Sequence, residues 1–373
     1  MDHLSRAAIA LATTAQSQQR SAVSGAGPAA DAVSLADKVA FLGGTDAYLH
    51  PAHDLERKET HMSWVFLAGD KVYKLKKPVR FPYLDYSTLA KREAACRAEL
   101  TLNRRLAPHV YETVLPLVRA PRGLAIGGAG EIVDWLVVMR RLDESRTLEH
   151  ALLAQALLPR QLDHVVATLV AFYRHARAVF VTPETHLINW ARSLDYNKRV
   201  LLDPRFALPA GLIRRIDRAQ RRFLNGRSNL IAGRVRGRHI VDGHGDLRPE
   251  HIWLDDPITI IDCLEFNASL RAVDPFDEIA YLCVECERLG GAWASAHIRR
   301  RAINALRDHL SEELFTFYRC HRATLRARLS IAHLYEPNPR TPEKWPRRAH
   351  EYLRIAATDA VRLERLLRTP AGR

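Results

Sequence analysis

The spacing of apolar residues changes period several times along the chain, and each change marks an element. LADKVAFL, beginning at Leu35, has helical spacing and is followed by a polar connection containing His and Pro. In SWVFLAGDKVYKLKKPV two alternating runs flank Ala68-Gly69-Asp70-Lys71, which predicts a β-hairpin. On its second strand Val72, Lys74 and Lys76 share one face, and Tyr73 and Leu75 take the other. STLAKREAACRAELTLNRRLA predicts a helix of several turns, with Asp85 or Ser87 as its cap. TVLPLVRA and EIVDWLVVMRRL are strand-like and are separated by the Gly-rich turn PRGLAIGGAGE. Hairpin, helix and two further strands make a small mixed lobe that closes near Leu142.

Beyond this point the pattern is helical. In LDHVVATLVAFYRHARA the residues Leu162, Val165, Val166, Leu169, Val170 and Tyr173 fall at helical spacing. Two short apolar runs, RHIVDGHGD and HIWLDDPITIIDCLEFN, interrupt the helices as strands flanking a loop. DEIAYLCVECERL, RAINALRDHLSEELFTFYRCHRATLRARLSIAHL and RRAHEYLRIAATDAVRLERLLR continue the helical part. No internal repeat is visible. The expected division is a disordered leader over 1–34, a small lobe over 35–142 and a helical lobe over 143–373.

Composition narrows the class. With 373 residues, 47% hydrophobic and 26% charged, the chain can build a well-packed core in two lobes. A formal net charge of +14 implies affinity for anions, for which nucleotide phosphates are an ordinary source. Basic charge alone is weak support for nucleic-acid binding, which is not expected. Five cysteines, Cys96, Cys263, Cys283, Cys286 and Cys320, are an odd number in a long chain and make no disulfide framework. Cys283 and Cys286 have metal-ligand spacing, but no second such pair follows, so buried helix thiols are expected. No run approaches the length of a membrane span. A cytoplasmic protein without a membrane partner is expected, and its oligomeric state is not legible.

The chemistry concentrates in His244-Gly245-Asp246-Leu247-Arg248-Pro249-Glu250-His251 and in Ile260-Ile261-Asp262. Phosphoryl transfer needs a carboxylate to orient and deprotonate the acceptor hydroxyl, and ligands for the magnesium that bridges the nucleotide phosphates. Asp246 can supply the first and Asp262 the second. HGDLRPEHIWL resembles the catalytic loop of the aminoglycoside phosphotransferase family, usually HGDLxxxN. IIDCLEF resembles that family's metal-binding IDxxE strand, and Asp274-Pro275-Phe276-Asp277-Glu278-Ile279-Ala280 its DPxxDLA helix start. Several motifs in order are stronger than any one. The likeness, spanning about 35–289, points to an uncharacterised bacterial subgroup marked by ETHxSWVFL, VYKLKKPV and HGDLRPEH. That subgroup is often fused to a P-loop kinase domain. This chain has no GxxxxGK[ST], so such a domain is not expected in it.

The resemblance implies an α+β, two-lobed protein-kinase-like fold, with a small mixed β/α lobe and a mostly helical one. It implies ATP or GTP as phosphate donor, Mg2+ or Mn2+ as metal, and a small-molecule hydroxyl as acceptor. Lys74 resembles the strand lysine that contacts the α/β-phosphates, with Lys76 as the other candidate. Glu99 resembles the helix glutamate that pairs with it, and backbone groups at Met139, Arg140 and Arg141 the hinge that receives the base. Asp246 is then the catalytic carboxylate, and His244 supports its loop. Asp274 is expected as a helix cap before Pro275, and Asp277, in the first turn of that helix, as a brace for the catalytic loop.

Two departures from the family pattern keep alternatives open. Position 251 is His where the family has Asn, and imidazole suits magnesium less than oxygen does. The site then works with an altered metal preference, or takes Glu265 as the missing ligand, or binds nucleotide without turnover. Retention of both Asp246 and Asp262 favours a working site. Between Leu55 and Ser63 no GxGxxG is present, leaving backbone amides, Thr60 and Lys58 to hold phosphate. A metal-dependent hydrolase built on Asp242, His244, Asp246 and His251 is a reading of another class. Residues 190–197 and the helices after Leu289 are candidates for the acceptor pocket.

Overall fold

A computed structural model describes residues 33–368, apart from 82, 309, 337, 338 and 340. The expected leader lies outside the described residues up to position 32, and Ser34 already caps the first helix. In chain order the first elements are α1 (Leu35–Leu42), β1 (Glu56–Glu59), β2 (Ser63–Ala68), β3 (Lys71–Lys76), β4 (Arg80–Phe81), β5 (Leu84–Asp85) and α2 (Leu89–Asn103). They are followed by β6 (Tyr111–Ala120), β7 (Gly123–Ile126), β8 (Glu131–Arg140), α3 (Leu148–Leu153), α4 (Pro159–His175), α5 (Pro183–Leu201) and α6 (Ala210–Arg236). Then come β9 (Val241–Asp242), β10 (Ile252–Trp253), β11 (Thr259–Ile260), α7 (Ala268–Arg271) and β12 (Ala272–Val273). The chain closes with α8 (Pro275–Arg288), α9 (Ala292–Leu306), α10 (Glu312–Ala332) and α11 (Lys344–Leu366). The described residues form two compact units, one of 33–144 with Thr259–Ala268, the other of Ser145–Ile258 with 269–368.

The first unit is built on an antiparallel sheet of order β1-β2-β3-β8-β6-β7. The predicted hairpin is β2–β3, in register from Ser63 opposite Lys76 to Ala68 opposite Lys71. Alternation along the strands then sorts the side chains. Phe66, Ala68, Tyr73, Leu75, Leu136 and Val138 form one buried cluster with Leu42 and Tyr48. Val137, Met139 and Tyr111 pack with Cys96 of α2 in another, against which Val72 lies. Helix α2 therefore covers the sheet face that carries Lys74 and Lys76. The cap of α2 is Thr88, whose hydroxyl accepts from Lys91 N, not Asp85 or Ser87. Asp85 instead accepts from Ser87 and pairs with Lys91. The Gly-rich segment PRGLAIGGAGE is not a single turn, because it contains β7, paired with β6.

Residues 259–268 belong to this unit, although their place in the chain groups them with the helical part. Asn103 explains why: its Oδ1 accepts from Cys263 N at 2.9 Å while its Nδ2 donates to Glu99 O. Tyr111 Oη accepts from Asp262 N at 3.3 Å, and Ile261 and Phe266 pack into two of the apolar clusters.

The second unit is helical. Helix α10 packs against α11, α8, α5 and α6, and α4 against α9. Every residue of α8 from Pro275 to Cys286 is buried, so α8 is the centre of this unit. Asp274 caps it through Phe276 N, with Pro275 at the first helical position. The long helical run after Arg301 is two helices, α9 and α10, broken where Arg307 turns left-handed and Ser311 caps α10. All five cysteines are buried thiols and none is in a disulfide, and the Cys283 and Cys286 thiols lie inside α8. Among the described residues no helix is long and apolar enough to cross a membrane.

Candidate functional site

The first unit carries a cluster of two lysines and three carboxylates. Period two along β3 puts Lys74 and Lys76 side by side, and helical spacing along α2 puts Arg92, Cys96, Glu99 and Asn103 on its buried face. Glu99 is shared: Oε1 accepts from Lys74 at 2.8 Å and Oε2 from Lys76 at 2.6 Å. The lysines then diverge. Lys76 is fully buried, and its second partner is Glu265 at 2.6 Å, whose Oε1 also accepts from Tyr86. Lys74 reaches Asp262 Oδ1 at 3.2 Å, a carboxylate whose side chain is 48% exposed.

Burial alone would discharge Lys74, but Asp262, Glu99 and Glu265 outweigh it and hold the amine charged well above its ordinary range. Lys76 is held the same way, by Glu265 and Glu99 against its burial. Burial raises the Glu265 carboxyl, and Lys76 and Lys74 more than offset this, leaving it below its usual range. Asp262 itself has φ of 65°, the left-handed region that non-glycine residues enter at a cost of about 1–3 kcal/mol. Aspartate is among the residues that tolerate it best.

The second unit carries the HGDLRPEH loop. Asp246 Oδ1 accepts from Tyr281 Oη at 2.9 Å and Oδ2 from Arg248 Nε at 3.0 Å. Burial pushes this carboxyl up, but Arg248, with His251, Arg326 and Tyr281, leaves it below the usual carboxylate range. His244 is buried, and its Nδ1 accepts from Asp246 N at 3.3 Å, closing its own loop.

Glu278, which the motif comparison did not single out, holds this loop. Oε2 accepts from His244 N at 3.1 Å and from Tyr173 Oη at 2.9 Å, and Oε1 accepts from Gly245 N. Its burial raises the carboxyl above the ordinary glutamate range despite these donors. Gly243 has to be glycine, because a Cβ there would lie 2.5 Å from Val273 Cγ2 and 2.8 Å from Glu278 Oε2. Gly245 has φ of 88°. Asp277, expected to brace the loop, instead forms a two-pronged pair with Arg322 of α10 at 2.7 and 2.6 Å. It ties α8 to α10, and the bracing passes to the next residue. A glutamate directly after Asp277 was the only signal for this in the sequence.

Three further expectations change. Both ring nitrogens of His251 are engaged: Nδ1 lies 2.9 Å from the Asp246 carbonyl, to which it must donate, and Nε2 then accepts from Arg248 Nη2 at 2.9 Å. His251 is thus a strut under the loop in this arrangement and not a metal ligand. Glu265 is drawn into the Lys76 pair and away from that role. At the strand end, Arg140 N donates to Val110 O and Arg141 N to Asp70 O, so neither N–H is open to a base, and the Met139 side chain is buried. Thr60 closes the β1–β2 turn, accepting from Ser63 N, and Lys58 pairs with Glu144.

The hydrolase set does not assemble either. Asp242 accepts from Arg271 at 2.7 Å, and His251 is committed as above.

A strand lysine held by a helix glutamate, in a small antiparallel unit, accompanies a glycine-turn aspartate in a helical one. The fold is α+β, with an antiparallel-sheet unit and a helical one. No family model matches the chain. Two uncharacterised proteins, from Mycobacterium tuberculosis and Mycobacterium bovis, are each 33% identical to it over 298 residues, covering 78% of this chain and 58% of the relative. The chain therefore spans somewhat over half the length of the curated relatives it matches. Among solved structures it is similar to a choline/ethanolamine kinase family protein from Mesorhizobium loti, at 18% identity and TM-score 0.48, covering 86% of this chain and 90% of that one. It is also similar to aminoglycoside 2'-phosphotransferase-IIIa in its GDP complex, at 15% identity and TM-score 0.47, covering 83% and 93%.

Proposed function

We propose that the chain moves the γ-phosphate of ATP or GTP to a hydroxyl group of a small molecule. The observation that carries this reading is Lys74 bridging Glu99 and Asp262. A phosphate-binding lysine must stay charged and point in one direction, and a buried glutamate behind it secures both. In this reading Lys74 receives the α/β-phosphates, Lys76 anchors Glu99 from behind, and Asp262 holds magnesium or manganese. The donor chemistry fits such an ion. Magnesium takes oxygen ligands and is commonly held by one or two carboxylates together with substrate phosphates. Asp262 offers a partly exposed carboxylate, whereas the imidazole of His251 is already engaged. When bound, the metal neutralises charge on the β- and γ-phosphates.

Asp246 serves in this proposal to orient the acceptor hydroxyl and take its proton. Its carboxyl lies below the usual range, so it is ionised at neutral pH, and each oxygen has a second lone pair beyond the one that accepts from Tyr281 or Arg248. A weak base suffices, because the loose transition state of phosphoryl transfer asks mainly for positioning and electrostatics. Replacing Asp246 by Asn is expected to abolish turnover on a panel of hydroxyl metabolites while nucleotide affinity stays near wild type. Replacing Asp262 by Ala is expected to remove the metal-dependent part of nucleotide affinity. Undiminished turnover in the first variant, or unchanged metal dependence in the second, refutes the respective role.

The engagement of His251 favours one other reading, a nucleotide-binding module without turnover. It leaves Asp262 as the single suggested metal ligand whose carboxylate remains partly exposed. Thermal stabilisation by nucleotide with magnesium or manganese, with no transfer to any acceptor, marks that outcome.

A further inference from the structure

Two arginines of the helical unit act on the Asp246 carboxylate, and they differ in how many donors they have left. Arg248 is spent: Nε donates to Asp246, Nη1 to Glu250 and Nη2 to His251. Arg326, on α10, is engaged on one side only. Its Nε donates to Glu285 Oε1 at 2.7 Å, with the Tyr352 hydroxyl at 3.3 Å. Among the described residues neither Nη1 nor Nη2 of Arg326 has a hydrogen-bond partner, and neither is sealed from solvent.

The surroundings fix this guanidinium in place. Glu285 is fully buried and also accepts from Tyr352 and Arg288, so Arg326 is anchored through its Nε side. The guanidinium lies against two rings, 5.4 Å from the centre of Tyr352 and 5.9 Å from that of Tyr281. Tyr281 Oη donates to Asp246 Oδ1 at 2.9 Å, which sets Arg326 one side chain away from that carboxylate. Its charge is felt there. Burial raises the Asp246 carboxyl, and Arg326, after Arg248 and His251, is among the groups that bring it down. Arg322, one turn earlier on α10, closes its Nε and Nη2 on Asp277. The terminal pair of Arg326 has no such carboxylate. A guanidinium stays charged, and two N–H groups in one plane match the oxygen spacing of a carboxylate or phosphate.

We infer that the acceptor is an anionic alcohol, whose carboxylate or phosphate group docks on the terminal nitrogens of Arg326 while its hydroxyl meets Asp246. This rests on the phosphoryl-transfer reading and leaves the step unchanged. The hydroxyl oxygen bonds to the γ-phosphorus, the bond from that phosphorus to the β-phosphate oxygen breaks, the nucleoside diphosphate leaves, and the proton passes to Asp246. Arg326 offsets the repulsion between Asp246 and an incoming anion, and so selects it over a neutral or cationic alcohol of the same shape.

The test compares alcohols of one shape and different charge: glycerate, glycerol 3-phosphate, glycerol and 3-amino-1,2-propanediol, with gluconate, glucose 6-phosphate, glucose and glucosamine as a larger set. Transfer from ATP with magnesium is expected to show kcat/KM about tenfold or more higher for an anionic member than for its neutral and cationic counterparts. A best substrate among glycerate and gluconate identifies a carboxylate ligand, and one among the phosphate esters a phosphate ligand. Arg326→Gln is expected to raise KM for the anionic acceptor about tenfold and to leave nucleotide affinity and the KM of neutral alcohols unchanged. Arg326→Lys keeps a cation beside Glu285, which secures folding, but loses the paired donors and is expected to move the same constant in the same direction. Preference for a neutral or cationic alcohol, or an anion preference unchanged in the folded variants, overturns the inference and leaves phosphoryl transfer standing. Should nucleotide bind and no alcohol be phosphorylated, the same alcohols are titrated by thermal shift without ATP. Saturable stabilisation by the anionic members that weakens in the variants then supports the anion site apart from the transfer reading, and its absence overturns the inference.

Discussion

Lys74 and Lys76 differ by two positions on one strand and share one glutamate, yet their removal should do opposite things. Replacing Lys76 by Met takes the cation from a fully buried cluster in which it contacts Glu99 and Glu265, each at 2.6 Å. Breaking a buried ion pair from one side costs about 3–5 kcal/mol, because the remaining charge is left uncompensated. Glu99 would still have Lys74 at 2.8 Å, and Glu265 would still have the Tyr86 hydroxyl at 2.6 Å. The lower end, about 3 kcal/mol, is therefore expected. Replacing Lys74 by Met leaves Glu99 paired with Lys76 and frees an Asp262 carboxylate that is already 48% exposed. No buried carboxylate is left without a cation, so the stability loss should be smaller than in Lys76→Met. Nucleotide affinity should behave in reverse, collapsing in Lys74→Met and persisting in folded Lys76→Met. Urea unfolding followed by tryptophan fluorescence, together with nucleotide titration by calorimetry, reads both quantities. Equal stability losses in the two variants, or full nucleotide affinity in Lys74→Met, would show that the division of labour is wrong.

Further outcomes follow from other buried groups. The Asp359 carboxyl is pushed up to about 6 by burial, against the opposing pull of Arg319. Its ordinary value is 3.8, so the folded state retains a proton that the unfolded chain releases between those values. Stability should fall as pH rises from about 4 to about 6, by at most about 3 kcal/mol, then level off, and Asp359→Asn should remove this slope in urea melts across pH 4–7. Glu278→Gln should cost about 1–3 kcal/mol, because in either orientation the new NH2 must face a backbone N–H of the loop, that of His244 or that of Gly245. Hydrogen exchange at Gly245 should accelerate in that variant, and unchanged protection would place the loop's support elsewhere. Gly243→Ala should destabilise by about 1–3 kcal/mol through its clash with Val273 and Glu278, which a thermal melt can check.

Much of the architecture was legible because it depends on local rules. Alternation in SWVFLAGDKVYKLKK predicts the hairpin and also places Lys74 and Lys76 on one face, which is the geometry found. Asp274-Pro275 announces a helix start whose cap is observed. Where side chains within a few residues compete, spacing alone does not choose between them. Asp85, Ser87 and Thr88 are all competent caps, and only the entry path of the chain into α2 selects Thr88.

What the amino-acid sequence determined by itself was the order of elements, the residue types able to handle phosphate, and the face of β3 on which the lysines stand. These depend on periods and motifs that a chain carries wherever it is placed. Beyond the Lys74–Glu99 pair, tertiary structure alone decided which carboxylate meets which cation. Glu265 went to Lys76, Asp277 to Arg322, and the loop to Glu278, because each assignment depends on depth and direction between segments far apart in the chain. Ion pairing in a low-dielectric interior is settled by where charges end up buried, and no spacing in one dimension records that.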